Sequence, residues 1–135
     1  MATEVSPHDE TMTDIEETLG IVPGYLSALP EQELVNEWPN LKRFLFGEGA
    51  IEPKVREFVG LAMAAAIGCE YCRHFHKHAA GLHGASDEEL SELFFLASYT
   101  PRYSALIQAQ DYDVDHFYEE VAQIGEHLQA QAAGD

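Results

Sequence analysis

At 135 residues and 46% hydrophobic content the chain has enough apolar material for one packed domain and too much for a disordered one. Its 24 acidic residues against 7 Lys and Arg give a net charge of −17, a surface that repels nucleic-acid phosphates and anionic membranes. No segment approaches the roughly 20 uninterrupted apolar residues of a membrane span, and residues 1–7 lack the basic start and apolar core of a secretory signal. The protein is therefore expected to be cytoplasmic. The acidity fits two readings equally: a protein adapted to high salt, where such self-repulsion is screened, or simply an acidic soluble one.

Residues 1–9 read as a disordered polar arm, and residues 10–135 as a single helical domain. Met12, Ile15 and Leu19 recur at helical spacing from Asp9 until Gly20 stops them. Ile21-Val22-Pro23-Gly24 is a turn, followed by one short helical turn carrying Tyr25, Leu26 and Leu29. Pro30 opens a helix through Phe46 with Leu34, Trp38, Leu41 and Leu45 on one face. Pro39 is expected to bend it. Pro53 opens the next helix, which from Phe58 to Ile67 is apolar nearly all round, a pattern that belongs at the centre of a protein or oligomer.

Gly68 breaks that helix, and another runs from Cys69 to about Leu82, before Gly84. Ser86-Asp87-Glu88-Glu89 is a capping box, starting a helix with Leu90, Leu93, Phe94 and Ala97 inward. Thr100-Pro101 starts a further helix to about Gln110. The last runs from Asp113 to about Ala130, with Val114, Phe117, Tyr118, Val121 and Ile124 as its stripe. Nothing alternates convincingly at the period of a strand, so the fold class is all-α.

Cys69 and Cys72 are the only cysteines. At about 100° per residue, Cys69, Cys72 and His76 share one face of their helix. Cys69, first after the Gly68 break, stands at a helix N-terminus, where the macrodipole and free amides favour thiolate. Cys72 is one turn further in and His76 one turn beyond that. If Gly68 turns an antiparallel helix hairpin, Glu57 lies roughly 16 Å before the turn and His76 roughly 12 Å after it. The two are then nearly level, and Glu57 can face the imidazole. A Glu57–His76–thiol proton relay is the mechanism these positions suggest.

Other readings of the same residues remain open. The cysteines could be small buried hydrophobes. Cys69, Cys72, His76 and Glu57 could together bind zinc, although C-x2-C-x3-H on one continuous helix is not a usual structural zinc spacing. Glu57, flanked by Lys54 and Arg56, could be a plain surface residue. His74 and His78 point away from His76, and His83 is placed to interact with the negative end of its helix just before Gly84.

The stretch from Val55-Arg56-Glu57 through Leu61-Ala62-Met63-Ala64-Ala65-Ala66-Ile67-Gly68-Cys69-Glu70-Tyr71-Cys72-Arg73-His74-Phe75-His76 to Gly84-Ala85-Ser86-Asp87-Glu88-Glu89-Leu90 carries the pattern E-x11-C-x2-C-x3-H. Over about residues 53–98 it resembles the AhpD-like branch of the carboxymuconolactone decarboxylase superfamily. That resemblance implies an AhpD-like helical domain around a central antiparallel hairpin, assembled into trimers or hexamers. It also implies peroxiredoxin-type reduction of hydroperoxides, with Cys72 peroxidatic, Cys69 resolving, and Glu57 and His76 the proton relay. The reductant it implies is a dithiol, in the family's characterised peroxidases a lipoyl group on a partner protein. No cofactor or resident metal is expected. The chain departs from better-known members in having Tyr71 where they carry His, and in being shorter. Two rival functions remain: a general dithiol–disulfide oxidoreductase, and a non-catalytic helical oligomer that binds a small molecule or metal.

Overall fold

The structure is a computed structural model that describes residues 4–134. Among the described residues every regular element is a helix: α1 (Pro7–Leu19), α2 (Gly24–Ser27), α3 (Glu31–Phe46), α4 (Pro53–Ile67), α5 (Glu70–Leu82), α6 (Asp87–Leu96), α7 (Tyr99–Gln108) and α8 (Val114–Ala133). The first helix begins inside the stretch expected to be a disordered arm. Ser6 caps it by accepting the amide of Asp9, and Pro7 takes the first helical position, where its missing N–H costs nothing. Residues 7–9 therefore belong to the domain, and residues 1–3 lie outside the described ones. Gly20, with φ of +80°, ends α1 in the left-handed conformation that glycine adopts without strain.

The N-terminal helices build one small core. Ile15, Leu26, Leu34 and Trp38 are buried together, with Met12, Leu19, Val22 and Leu41 packed around them. Each fully buried aliphatic side chain contributes about 1.5–3 kcal/mol relative to exposure. The α3 helix continues past Pro39 to Phe46, because neighbouring turns hold the one backbone position whose bond the proline removes. Pro30 is the residue before its first turn rather than within it.

A polar hub pins α1 to α3. Asp14 accepts the Trp38 indole N–H at 2.7 Å and both its oxygens accept from the Lys42 ammonium, at 2.7 and 2.9 Å. The Lys42 hydrogen bond, with the indole's behind it, holds the Asp14 carboxyl below the usual carboxylate range. A depressed carboxyl pKa stabilises the fold above the unfolded value, and that contribution disappears as pH falls through the folded one. Asp14→Asn is accordingly expected to lower the melting temperature at neutral pH, with the gap to wild type closing as acid protonates Asp14. Thermal melts across pH check this; a gap that persists unchanged at low pH contradicts it.

The centre of the domain is the pairing of α4 with α5, which turn back on each other across Gly68 and pack along their lengths. Gly68, at φ +71°, occupies the left-handed region and ends α4. Leu61, Ala64 and Glu57 on one face of α4 are buried, and Ala80 of α5 is buried with them. The opposite face, with Val59, Met63 and Ile67, stays exposed, so a single copy covers only part of this apolar helix. The capping box at Ser86 forms in both directions: Ser86 Oγ accepts the Glu89 amide, and Glu89 accepts the Ser86 amide. A Lys54–Glu89 ion pair at 2.8 Å ties α6 back to α4.

Two expectations for the C-terminal half are corrected by the structure. Phe94 is half exposed rather than inward: Leu90 and Leu93 are partly buried on α6, while Phe94 lies under the Lys77 ammonium of α5. The α7 helix starts at Tyr99, ahead of Thr100-Pro101. The α8 stripe has the expected helical spacing, yet Phe117, Val121, Ile124 and Leu128 all face outward. Among the described residues, α6, α7 and α8 contain no buried side chain.

Candidate active site

The start of α5 builds the thiol end of the site. Cys69 is the N-cap, with extended backbone, and its Sγ accepts the amide of Cys72 at 3.2 Å. A sulfur thus does what a Ser or Asp oxygen does at most helix starts, satisfying one of the orphan N–H groups. One turn in, Cys72 brings its sulfur to 2.6 Å from that of Cys69, with both thiols free and half-buried. Cys69 is held below the ordinary thiol value, first by the Cys72 thiol that donates to it, then by the Cys72 amide, with Tyr71's amide and the Arg73 charge adding to it. Cys72 is pushed the other way by donating that hydrogen bond, by burial and by the charge on Cys69.

The second half of the site is the pair Glu57 and His76. Glu57 on α4 is 4% exposed, the one charged residue buried among the described residues, and its Oε2 lies 2.7 Å from His76 Nδ1 on α5. A buried carboxylate without a partner is costly, and the imidazole supplies one. The reading of Glu57 as a surface residue is therefore set aside. Lys54 beside it is engaged by Glu89, and Arg56 donates to the main-chain oxygens of Ile51 and Phe44 at 2.8 and 3.0 Å. Neither cation shares the Glu57 carboxylate.

The four predicted positions form two close pairs. Among the described residues no hydrogen bond joins His76 to either sulfur, and no group of three His, Cys, Asp or Glu side chains is arranged to hold a metal ion. The zinc reading would need all four converging. His74 and His78 are exposed, and His83 is the C-cap of α5.

A cavity of about 250 Å³ opens beside the Glu57–His76 pair. Phe44, Leu45, Ile51 and Val59 supply its apolar lining, with Glu57 and His76 in its wall. Arg56 shapes this cavity by fixing the main chain at Phe44 and Ile51, a role that sequence reading missed. The only sequence signal was a cation one residue before Glu57 with Gly47 and Gly49 upstream. A larger cavity of about 420 Å³ lies on another side of α5, lined by Arg73, His74, Lys77 and Phe94, and holds none of the four site residues.

Two packed helices thus carry a C-x2-C pair and a buried carboxylate–imidazole pair. Residues 32–112 match the carboxymuconolactone decarboxylase family, and the chain belongs to that family. It is similar to the crystal structure of the alkylhydroperoxidase AhpD core from Rhodospirillum rubrum, with 28% sequence identity and a TM-score of 0.70 over 83% of this chain and 85% of that one. No curated protein matches it. Among the described residues, no helix is long and apolar enough to cross a membrane.

Proposed function

We propose that the protein reduces organic hydroperoxides, with Cys69 and Cys72 as its redox pair and Glu57–His76 as its proton relay. The observation that carries this reading is the pairing of two adjacent free sulfurs at the start of α5 with a buried Glu57–His76 hydrogen bond one turn along. The likeness to an alkylhydroperoxidase core supports it.

In this reading each thiol has its own step. His76, its Nδ1 held by Glu57, takes the proton of Cys72 as general base. The Cys72 thiolate attacks one peroxide oxygen, the O–O bond breaks, and the alkoxide leaves as an alcohol after receiving the proton from His76. Cys72 is then a sulfenic acid. Cys69, the more acidic thiol, attacks that sulfur as thiolate; the S–O bond breaks, the departing hydroxide takes a proton from solvent and leaves as water, and a Cys69–Cys72 disulfide forms. An external dithiol, such as a lipoyl group on a partner protein, reduces the disulfide by exchange and is itself oxidised. The reaction needs no resident cofactor or metal. Consumption of tert-butyl hydroperoxide driven by a dithiol tests the reading: the expected result is catalytic turnover, and stoichiometric inertness overturns it.

One observation favours a second reading. Cys69 as an acidic thiol at the helix N-terminus is also suited to attack an external disulfide, which is dithiol–disulfide oxidoreductase chemistry. Turnover of a model disulfide without hydroperoxide turnover would select it.

The exposed apolar faces of α4 and α8 support assembly with further copies of the chain. Sedimentation is expected to give the mass of a trimer or hexamer, and a monomer at micromolar concentration contradicts this.

A further inference from the structure

Gly60 has no local conformational reason to be glycine. It lies in the interior of α4, where glycine is the least favourable residue after proline, and its φ is not positive. What the position does have is a neighbour. A Cβ on Gly60 would clash with His76 Cε1 and stand 2.6 Å from both Nδ1 and Nε2. Real Cβ atoms essentially never come within 3.0 Å of another group in this way, so the imidazole of α5 rests directly on bare α4 backbone. Three residues earlier on the same helix is Glu57, and positions three apart share a face. The ring is thus held from two sides by one helix: the backbone at Gly60 beneath it and the Glu57 carboxylate at Nδ1.

We infer that Gly60 is a positioning residue for His76: its missing side chain is the seat that lets the imidazole reach Glu57 while α4 and α5 stay in contact. Any side chain there lifts the ring off α4 and draws Nδ1 away from the carboxylate. The alternative response is for the helices to separate, which loosens the packing around Leu61, Ala64 and Ala80. The inference rests on the relay reading only for its catalytic consequence; the seat itself concerns the geometry of Glu57 and His76.

Gly81 of α5 provides the comparison, because a Cβ there meets nothing within 4 Å. Gly60→Ala is expected to weaken the His76 Nδ1–Glu57 hydrogen bond, read from the ring nitrogen resonances by NMR at neutral pH, and to slow alkylation of Cys72 at neutral pH at least 10-fold. Gly81→Ala is expected to leave both at wild-type values. The decisive comparison is made in a His76→Ala background, where the ring is gone. Adding Gly60→Ala to it should slow alkylation no further, and the double variant should be at least as stable as His76→Ala alone.

Neither readout needs a peroxide, so the seat can be tested even if hydroperoxide turnover is absent. Unchanged His76 ring nitrogen resonances in Gly60→Ala overturn the inference, as does an equal loss in the presence and absence of the His76 ring. If Gly60→Ala alone fails to fold, the double variant decides. A folded double variant supports the seat, and an unfolded one assigns Gly60 to general helix packing.

Discussion

Replacing Cys72 with serine is expected to remove hydroperoxide turnover, by roughly 10³-fold or more, because a nucleophile is lost rather than weakened. Cys69→Ser is expected to remove steady-state turnover as well, but for a different reason. That variant still attacks one equivalent of peroxide and then stalls, leaving a Cys72 sulfenic acid that dimedone traps. The two variants separate the order of events, which is otherwise ambiguous. The Cys69 thiol is held below its ordinary pKa and Cys72 above it, which favours Cys69 as the attacking thiolate, whereas the position of Cys72 one helical turn from His76 favours Cys72. If Cys72→Ser consumes one equivalent and Cys69→Ser consumes none, Cys69 attacks first and the assignment reverses.

Glu57→Gln keeps the size and shape of the buried side chain and removes its charge. The expected result is a fall in Cys72 alkylation and peroxide attack of about 10²-fold, within the range for loss of positioned acid–base help. The pH profile of alkylation should move to higher pH, because the imidazole that takes the thiol proton has lost the carboxylate bonded to its Nδ1 at 2.7 Å. A profile identical to wild type at both thiols removes Glu57 from the mechanism and leaves it as a structural ion-pair partner.

The parts of this site that were legible in the sequence are those fixed by counting along helices. Residue spacing alone put Cys69 at a helix start, Cys72 a turn behind it, and Glu57 level with His76, because a helix advances by a constant rise and Gly68 marks the turn. The capping box at Ser86 was legible for the same reason: its partners are three residues apart. Contacts between elements were not. Nothing in the order of residues says that Arg56 reaches the carbonyls of Phe44 and Ile51, or that His76 lies on the backbone of Gly60. Gly60 sits inside an apolar helical run, where a glycine reads only as a weak helix former. The α1 start was misplaced because a Ser-Pro pair before acidic residues reads equally as a polar arm and as a capped helix; the Ser6–Asp9 bond decides it. For α8, periodicity revealed the stripe but not what covers it, since a face buried by the same chain and one left for another copy have the same spacing.

The Phe94 result has a similar origin. Leu90, Leu93, Phe94 and Ala97 share a helical face, yet α6 packs on α4 along only part of it, and the edge of that face falls at Phe94. Hydrophobicity identified the face, but which of its residues a neighbouring helix covers is a contact between elements, which spacing along one helix does not encode.

Whether Cys69 and Cys72 are a working redox pair is read by intact-mass spectrometry with thiol alkylation, before and after one equivalent of an organic hydroperoxide. Two alkylatable thiols are expected before oxidation, with loss of both together after it and recovery of both on treatment with a dithiol. Two thiols that stay free after exposure to the hydroperoxide would contradict this reading.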